Sequence, residues 1–308
     1  MTRSTYFLAT IICLFSSCFF IANTTLAKDV VIFNQPASSK DSRYQYSFEL
    51  MKLILKQTEN DFGDWEIAHS EVFMTRDRVL SELISGSLIN VIAEAPKVGW
   101  NESLIPIKLP LRKGIQGFRV FIIKQENYEA FQQIQTLAQL KSYPTGSGIF
   151  WSTRNALEQA GFDVIVGSSY EGLFHMLERG RFTSFGRGIN EVSDELAIYS
   201  QSFPELVLDD NVLLHIPLIT IFYVSPNNPK LAERIQIGME RIIANGQFDH
   251  AFYQQYCHAL ENINLDSRII FNIDNPLMEN EEFIQMQQQG LLLSPKMNFD
   301  EVCQIHSQ

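Results

Sequence analysis

The sequence predicts an α/β chain of two lobes joined by two crossings, and three observations carry that prediction. Residues 30–93 read as strands alternating with helices, and a second series of the same kind occupies 118–191. Apolar, strand-like runs at 104–124 and 212–224 link the two series. Short β-branched runs alternating with helical periodicity are the pattern of a mostly parallel sheet covered by helices.

The chain opens like an export signal. Arg3 supplies the positive end, residues 6–22 an apolar core, and Thr25-Leu26-Ala27 a small-residue cleavage site, so 1–27 is expected to be removed. Cys18 after Ser16-Ser17 leaves a lipoprotein site as the alternative. No later run is long and apolar enough to span a bilayer. The formal charge of −11 argues against nucleic acid and anionic lipid as partners. Of four cysteines, Cys257 and Cys303 follow the signal. In an oxidising compartment a disulfide is the simplest use of such a pair, worth about 3–4 kcal/mol in the chain-entropy model. A zinc site with His258 and His306 is the alternative, although the spacing fits no standard metal motif.

In the first series, residues 30–33 form a buried strand closed by Asn34-Gln35-Pro36, where Asn34 stands at a strand end. Tyr46, Leu50, Leu53, Ile54 and Gln57 share one face of the helix that follows. Residues 65–72 give a second strand. Thr75 is placed to cap a helix whose apolar face is Val79, Leu80, Leu83, Ile84 and Leu88, and 90–93 gives a third strand. Residues 104–111 are strand-like up to the break at Arg112-Lys113-Gly114, and 118–124 is a strong strand that enters the second lobe.

There, 131–140 reads as a helix, Thr145-Gly146-Ser147-Gly148 as a turn feeding a helix over 151–160, and 163–166 as a strand. A helix starts at Tyr170 with Ser169 as its cap and Glu171 in its first turn, and Gly180 ends it. A short strand over 182–185 then leads into Gly186-Arg187-Gly188. In open α/β sheets ligands bind beyond the carboxyl ends of strands, which puts Arg187 where a ligand would be met. The plainer reading pairs Arg187 with Glu191 in a solvated loop. The glycine turn at 146–148 can likewise offer free N–H groups to an anion or be a simple loop. Residues 212–224 return the chain to the first lobe, helices follow at 231–244 and from 248, and the Gln-rich run at 285–289 looks solvated.

Catalytic signatures are not found. Gly146-Ser147-Gly148 is not G-x-S-x-G, no phosphate-binding or dinucleotide-binding loop occurs, and the six histidines have no metalloprotease spacing. No cofactor is expected from the motifs.

Several stretches together resemble the bacterial extracellular solute-binding proteins of family 3. They are Gly114-Ile115-Gln116-Gly117-Phe118-Arg119, residues 146–151, Tyr170-Glu171-Gly172-Leu173-Phe174 with Met176-Leu177, Gly180-Arg181-Phe182 through Phe185, Arg187-Gly188 and Glu191, and Gly246-Gln247-Phe248. The resemblance covers nearly all of 28–260. It implies a two-lobed type II periplasmic-binding-protein-like fold with two hinge crossings. Lobe 1 is expected over 28–117 plus 217–308 and lobe 2 over 118–216. It also implies a periplasmic monomer that captures a small-molecule ligand between its lobes for a membrane transporter permease or a sensor. Amino-acid binders of the family carry an arginine after the third strand and an aspartate at a strand end in the second lobe. Here the first region reads Ala95-Pro96-Lys97-Val98-Gly99-Trp100-Asn101 and the second place holds Arg187-Gly188. The expected ligand is therefore polar or anionic, met by Arg187, Arg112 and Lys97, with Trp151 and Phe185 as an aromatic wall. Gly146, Ser147, Glu191, Thr75 and Asn34 complete the expected site. The competing expectations are a dehydratase-like periplasmic enzyme using Glu191 or Glu94, and a protein-interaction module with no small ligand.

Overall fold

The structure is a computed structural model that describes residues 28–36, 44–74, 76–294 and 297–306. The expected export signal at 1–27 and Thr75 lie outside the described residues. The strands are β1 Asp29–Phe33, β2 Trp65–His69, β3 Val91–Glu94, β4 Ile105–Ile107, β5 Phe118–Lys124, β6 Thr145–Gly148, β7 Val164–Gly167, β8 Ser184–Gly188, β9 Leu206–Leu208, β10 Val212–His215, β11 Ile221–Val224 and β12 Ile269–Asn272. The helices are α1 Gln45–Gln57, α2 Glu59–Phe62, α3 Arg76–Ser85, α4 Trp100–Ser103, α5 Tyr128–Gln132, α6 Leu137–Lys141, α7 Ser152–Gln159, α8 Tyr170–Glu178, α9 Val192–Tyr199, α10 Pro229–Ala244, α11 Gln247–Asn262, α12 Asn280–Gln288 and α13 Phe299–His306.

In the first lobe β1 and β2 pair in parallel, and β11 lies antiparallel between β3 and β4. Asn90 joins the two groups. Its backbone N–H donates to the Ile32 carbonyl, and its side chain accepts from Ile32 N and donates to the Val30 carbonyl. In the second lobe the order is β12-β10-β5-β8-β6-β7, with β9 on the far part of β5. The seven residues of β5 are nearly all buried, as a run that is apolar apart from Arg119 and the terminal Lys124 suits a strand covered on both faces. The expected helix over 131–140 is two short ones. Thr136 and Gln139 form a capping box that starts α6 afresh.

The run over 212–224 is two strands in two different sheets, β10 and β11, with the return crossing between them. The crossings run side by side. Leu111 N–H donates to the Thr220 carbonyl and Ile216 N–H to the Gly117 carbonyl. Gly117 is required there, because a Cβ would stand 2.1 Å from the Ile216 carbonyl oxygen. Lys113 and Gly114 turn the first crossing with successive positive φ angles of 45° and 71°. Lys113 is held in that strained conformation by ion pairing to Asp249 at 2.7 Å and by donating to the Gly290 carbonyl.

One expectation needs correction. The tail after α11 does not belong wholly to the first lobe, since β12 pairs in parallel with β10, Val212 opposite Ile269 through His215 opposite Asn272. Arg268, buried just before β12, drives this attachment by donating to the Asp209 and Val212 carbonyls at 2.7 and 3.0 Å. The chain then returns. Leu293 N–H donates to the Lys113 carbonyl, Lys108 pairs with Glu282 of α12, and Cys303 of α13 is disulfide-bonded to Cys257 of α11. The Gln-rich run lies mostly in α12, its glutamines exposed around buried Met286.

The β10–β12 seam contains a titratable group. His215 is buried, with Nδ1 3.1 Å from Asn272 Oδ1 and its ring edge-on to Phe118. Burial holds its pKa below the ordinary histidine value, against the Asn272 bond. A depressed folded pKa gives stability that is complete above the unfolded value of about 6.5 and is lost as pH falls through the folded value, about 1.4 kcal/mol for each unit of depression. Urea denaturation at pH 7.5 and pH 5 is expected to show a loss in the wild type that His215→Gln reduces. Equal losses in both proteins would contradict this assignment.

Candidate functional site

The residues nominated from the sequence in the second lobe do come together, in an arrangement the sequence reading did not anticipate. The strand expected at 182–185 is β8 over Ser184–Gly188, because it pairs antiparallel with β5 from Ile123 opposite Ser184 to Arg119 opposite Gly188. Arg187 is thus a sheet residue opposite Val120 and not part of a loop. Alternation puts Arg187 on the same face as Phe185. Its guanidinium carbon lies 4.6 Å from the Trp151 ring centre, 5.1 Å from that of Phe185 and 5.6 Å from that of Tyr170. Trp151 and Phe185 stack with centroids 5.8 Å apart. The expected aromatic wall therefore packs on Arg187 itself.

A guanidinium in such a place has to be neutralised. Arg187 is 4% exposed, and its Nε and Nη2 donate to Glu195 Oε2 and Oε1 at 2.6 and 2.5 Å, a two-point ion pair. Nη2 also lies 3.0 Å from Glu191 Oε1. Burial works against the charge of Arg187, but Glu191 and Glu195 outweigh it and hold the pKa above its ordinary value. The expectation that Arg187 is an open cation awaiting an anionic ligand is accordingly corrected: its fork is already filled by the chain's own carboxylate.

Glu191 is the nearby acid with more exposure, 24% for its side chain. Its Oε1 accepts from Gly188 N–H at 3.0 Å and lies 3.5 Å from Arg119 Nη1. Burial would raise its pKa, but Arg187, Arg119, the Gly188 N–H and Arg112 together bring it below the ordinary carboxylate value. Glu195, more deeply enclosed, is raised by burial despite Arg187. Arg119 donates to the Gly186 carbonyl at 2.6 Å and to the Gln116 carbonyl at 3.1 Å, and burial pushes its pKa down to about 10. Arg112, in the first crossing, reaches α1 through Ser47 Oγ at 3.2 Å. It is the expected site residue whose field acts on Glu191 across the crossing.

The expected glycine turn at 146–148 is strand β6, parallel to both β7 and β8, so its N–H groups are not an open anion cradle. Its glycines make room for rings. A Cβ on Gly146 would meet Phe182 at 2.3 Å, and one on Gly148 would meet the Trp151 indole at 2.5 Å. Ser147 between them is 1% exposed, and its Oγ has no hydrogen-bond partner among the described residues. It borders a cavity with Arg119, Thr145 and Thr153.

In the first lobe the nominated residues are engaged elsewhere. Lys97 pairs with Glu94 at 3.1 Å and lies over the Trp100 ring. Asn34 clasps Met74, donating to its carbonyl and accepting from its N–H, both at 3.1 Å, which closes the β1 end onto the loop after β2. Sequence reasoning missed Arg119 and Glu195. A lone arginine inside the apolar run of β5 is the signal that could have found the first, and the spacing of Glu195 four residues beyond Glu191 the second.

No family model matches the chain, and no curated protein matches it. Solved structures do. An ancestral arginine-binding protein bound to arginine is 16% identical, with a TM-score of 0.52, over 74% of this chain and 98% of that one. A Salmonella typhimurium periplasmic binding protein of high arginine specificity is 12% identical, with a TM-score of 0.50, over 74% and 99%. A histidine kinase sensor domain with similarity to periplasmic binding proteins is 12% identical, with a TM-score of 0.51, over 75% and 96%. The chain has the two-lobed α/β fold of the periplasmic binding proteins. Among the described residues no helix is long and apolar enough to cross a membrane.

Proposed function

We propose that the chain is an exported, non-catalytic receptor that takes a small polar ligand between its two lobes and presents it to a membrane transporter or a sensor in the periplasm. The observation that carries this reading is the charged group at the junction of the lobes. Arg112 on the crossing adds its positive field at Glu191, the partly exposed member of the Arg119–Glu191–Arg187–Glu195 network of the second lobe. Arg187 and Glu195 are the preset floor of this group, and Glu191 meets a donor on the ligand. The neighbours' names, arginine-binding proteins and a kinase sensor domain, support binding over turnover and leave both kinds of membrane partner in place.

A thermal-shift screen of the mature protein against amino acids, organic acids, phosphates and short peptides tests the reading. A ligand at 100 times its dissociation constant adds about 2.7 kcal/mol. Glu191→Gln is then expected to weaken the ligand found by about tenfold or more in calorimetry, as loss of a charge-assisted hydrogen bond does. Unchanged affinity would remove Glu191 from the site. Turnover of the ligand that Glu191→Gln abolishes would favour an enzyme instead.

A further inference from the structure

The first lobe has a recess of about 300 Å³ that the interlobe reading does not use. It lies between the loop after β3, the strand ends next to the crossings, and the tail, and no residue of the second-lobe sheet lines it. Its floor is apolar, built from Ile219, Ile221, Met278 and Met286, all of them buried core residues. Val98, on the loop at its edge, is 82% exposed, an unusual position for a β-branched side chain.

The charges at the mouth are unevenly matched. Lys97 is tied to Glu94, and Lys108 to Glu282 at 2.6 Å. Glu102 and Glu279 are both exposed, and neither joins an ion pair among the described residues. The recess therefore combines an apolar floor with three carboxylates against two lysines, and Glu102 and Glu279 are the two acids of its lining that no ion pair holds among the described residues. Two methionines in that floor can adapt to an apolar body of variable shape. Carboxylates beside apolar walls attract a cation more strongly than carboxylates in open water do.

We propose that this recess binds a small organic cation, an ammonium or guanidinium carried on an apolar body and lacking a carboxylate. The apolar part lies on Ile219, Ile221, Met278 and Met286, and the charge lies between Glu102 and Glu279. A zwitterion is disfavoured, because its carboxylate would meet the same two acids. The site is built by the tail packing on the first lobe, so it exists independently of any ligand between the lobes.

The test is calorimetric titration of the full mature chain at low ionic strength with phenethylammonium, its neutral analogue phenethyl alcohol, the anion phenylacetate and the zwitterion phenylalanine. Phenethylammonium is expected to bind at least tenfold more tightly than the alcohol and the zwitterion, with phenylacetate showing no heat of binding. The double variant Glu102→Gln/Glu279→Gln, altered only at exposed positions, is expected to lose at least tenfold for the cation, and added salt to weaken it. Glu191→Gln is expected to bind the cation as the wild type does. The proposal is overturned by equal affinity for cation and alcohol, by an unaffected double variant, by no binding of the cation at millimolar concentration, or by loss of binding in Glu191→Gln, which would move the cation to the interlobe site.

Discussion

Replacing Arg234 with methionine is expected to lower stability by about 3–5 kcal/mol, although α10 is far in sequence from everything this arginine holds. Its side chain is fully buried. Nε donates to Thr58 Oγ1 at 3.0 Å, Nη1 to Asp29 Oδ2 at 2.8 Å and the Asp64 carbonyl at 3.4 Å, and Nη2 to the Leu55 and Gly63 carbonyls at 3.1 and 2.9 Å. Arginine has five donors, and each finds an acceptor here. Leu55 lies in the last turn of α1 and Thr58 caps it, an end whose carbonyls favour a cation. Removal strands these acceptors and Asp29 at once. Arg234→Lys should recover only part of the loss, since an ammonium has three donors and no planar fork. Urea denaturation is the measurement, and a loss under 1 kcal/mol in Arg234→Met would contradict the account.

The second large effect belongs to Arg187. Arg187→Met is expected to destabilise by about 3–5 kcal/mol, because Glu195 would lose its two-point partner and Glu191 would keep only the more distant Arg119 at 3.5 Å. The double variant Arg187→Met/Glu195→Met is expected to regain most of that loss, as replacing a buried pair with apolar side chains does. The single variant should also show a defined pH dependence. Without Arg187 the Glu195 pKa stands further above its unfolded value, so protonation favours the folded state. The defect is therefore largest at pH 7 and shrinks as pH falls toward the unfolded carboxylate value of about 4.3. If Arg187 were chiefly a ligand anchor, Arg187→Met would lose affinity while stability stayed within about 0.5 kcal/mol of wild type.

The strands and helices of both lobes were legible because their apolar periods differ so clearly. The run from Phe118 to Lys124 cannot be an amphipathic surface strand, and Leu231, Ile235, Gly238 and Met239 mark one face of a helix. Glycine was read less well. At 146–148 and 186–188 it suggested turns, yet both segments are strands whose missing side chains admit Phe182, Trp151 and Phe121. A glycine that accommodates a ring from elsewhere in the chain leaves no local trace. The charges of the site failed for a related reason. Arg187 was visible as a functional-looking cation, but its partner depends on the turn of α9 that brings Glu195 back over the sheet. Arg234 sits on the apolar face of α10, and that misplacement was the available sign of a buried network.

The central claim is that the two lobes close on a ligand about their crossings. The most direct measurement is the distance between spin labels on cysteines introduced at exposed Gln159 of α7 and Lys230 of α10, one on each lobe, with and without the ligand from the screen. A shorter and narrower distance distribution is expected on binding, abolished by the same Glu191→Gln change that weakens the ligand. Identical distributions at saturating ligand would contradict it.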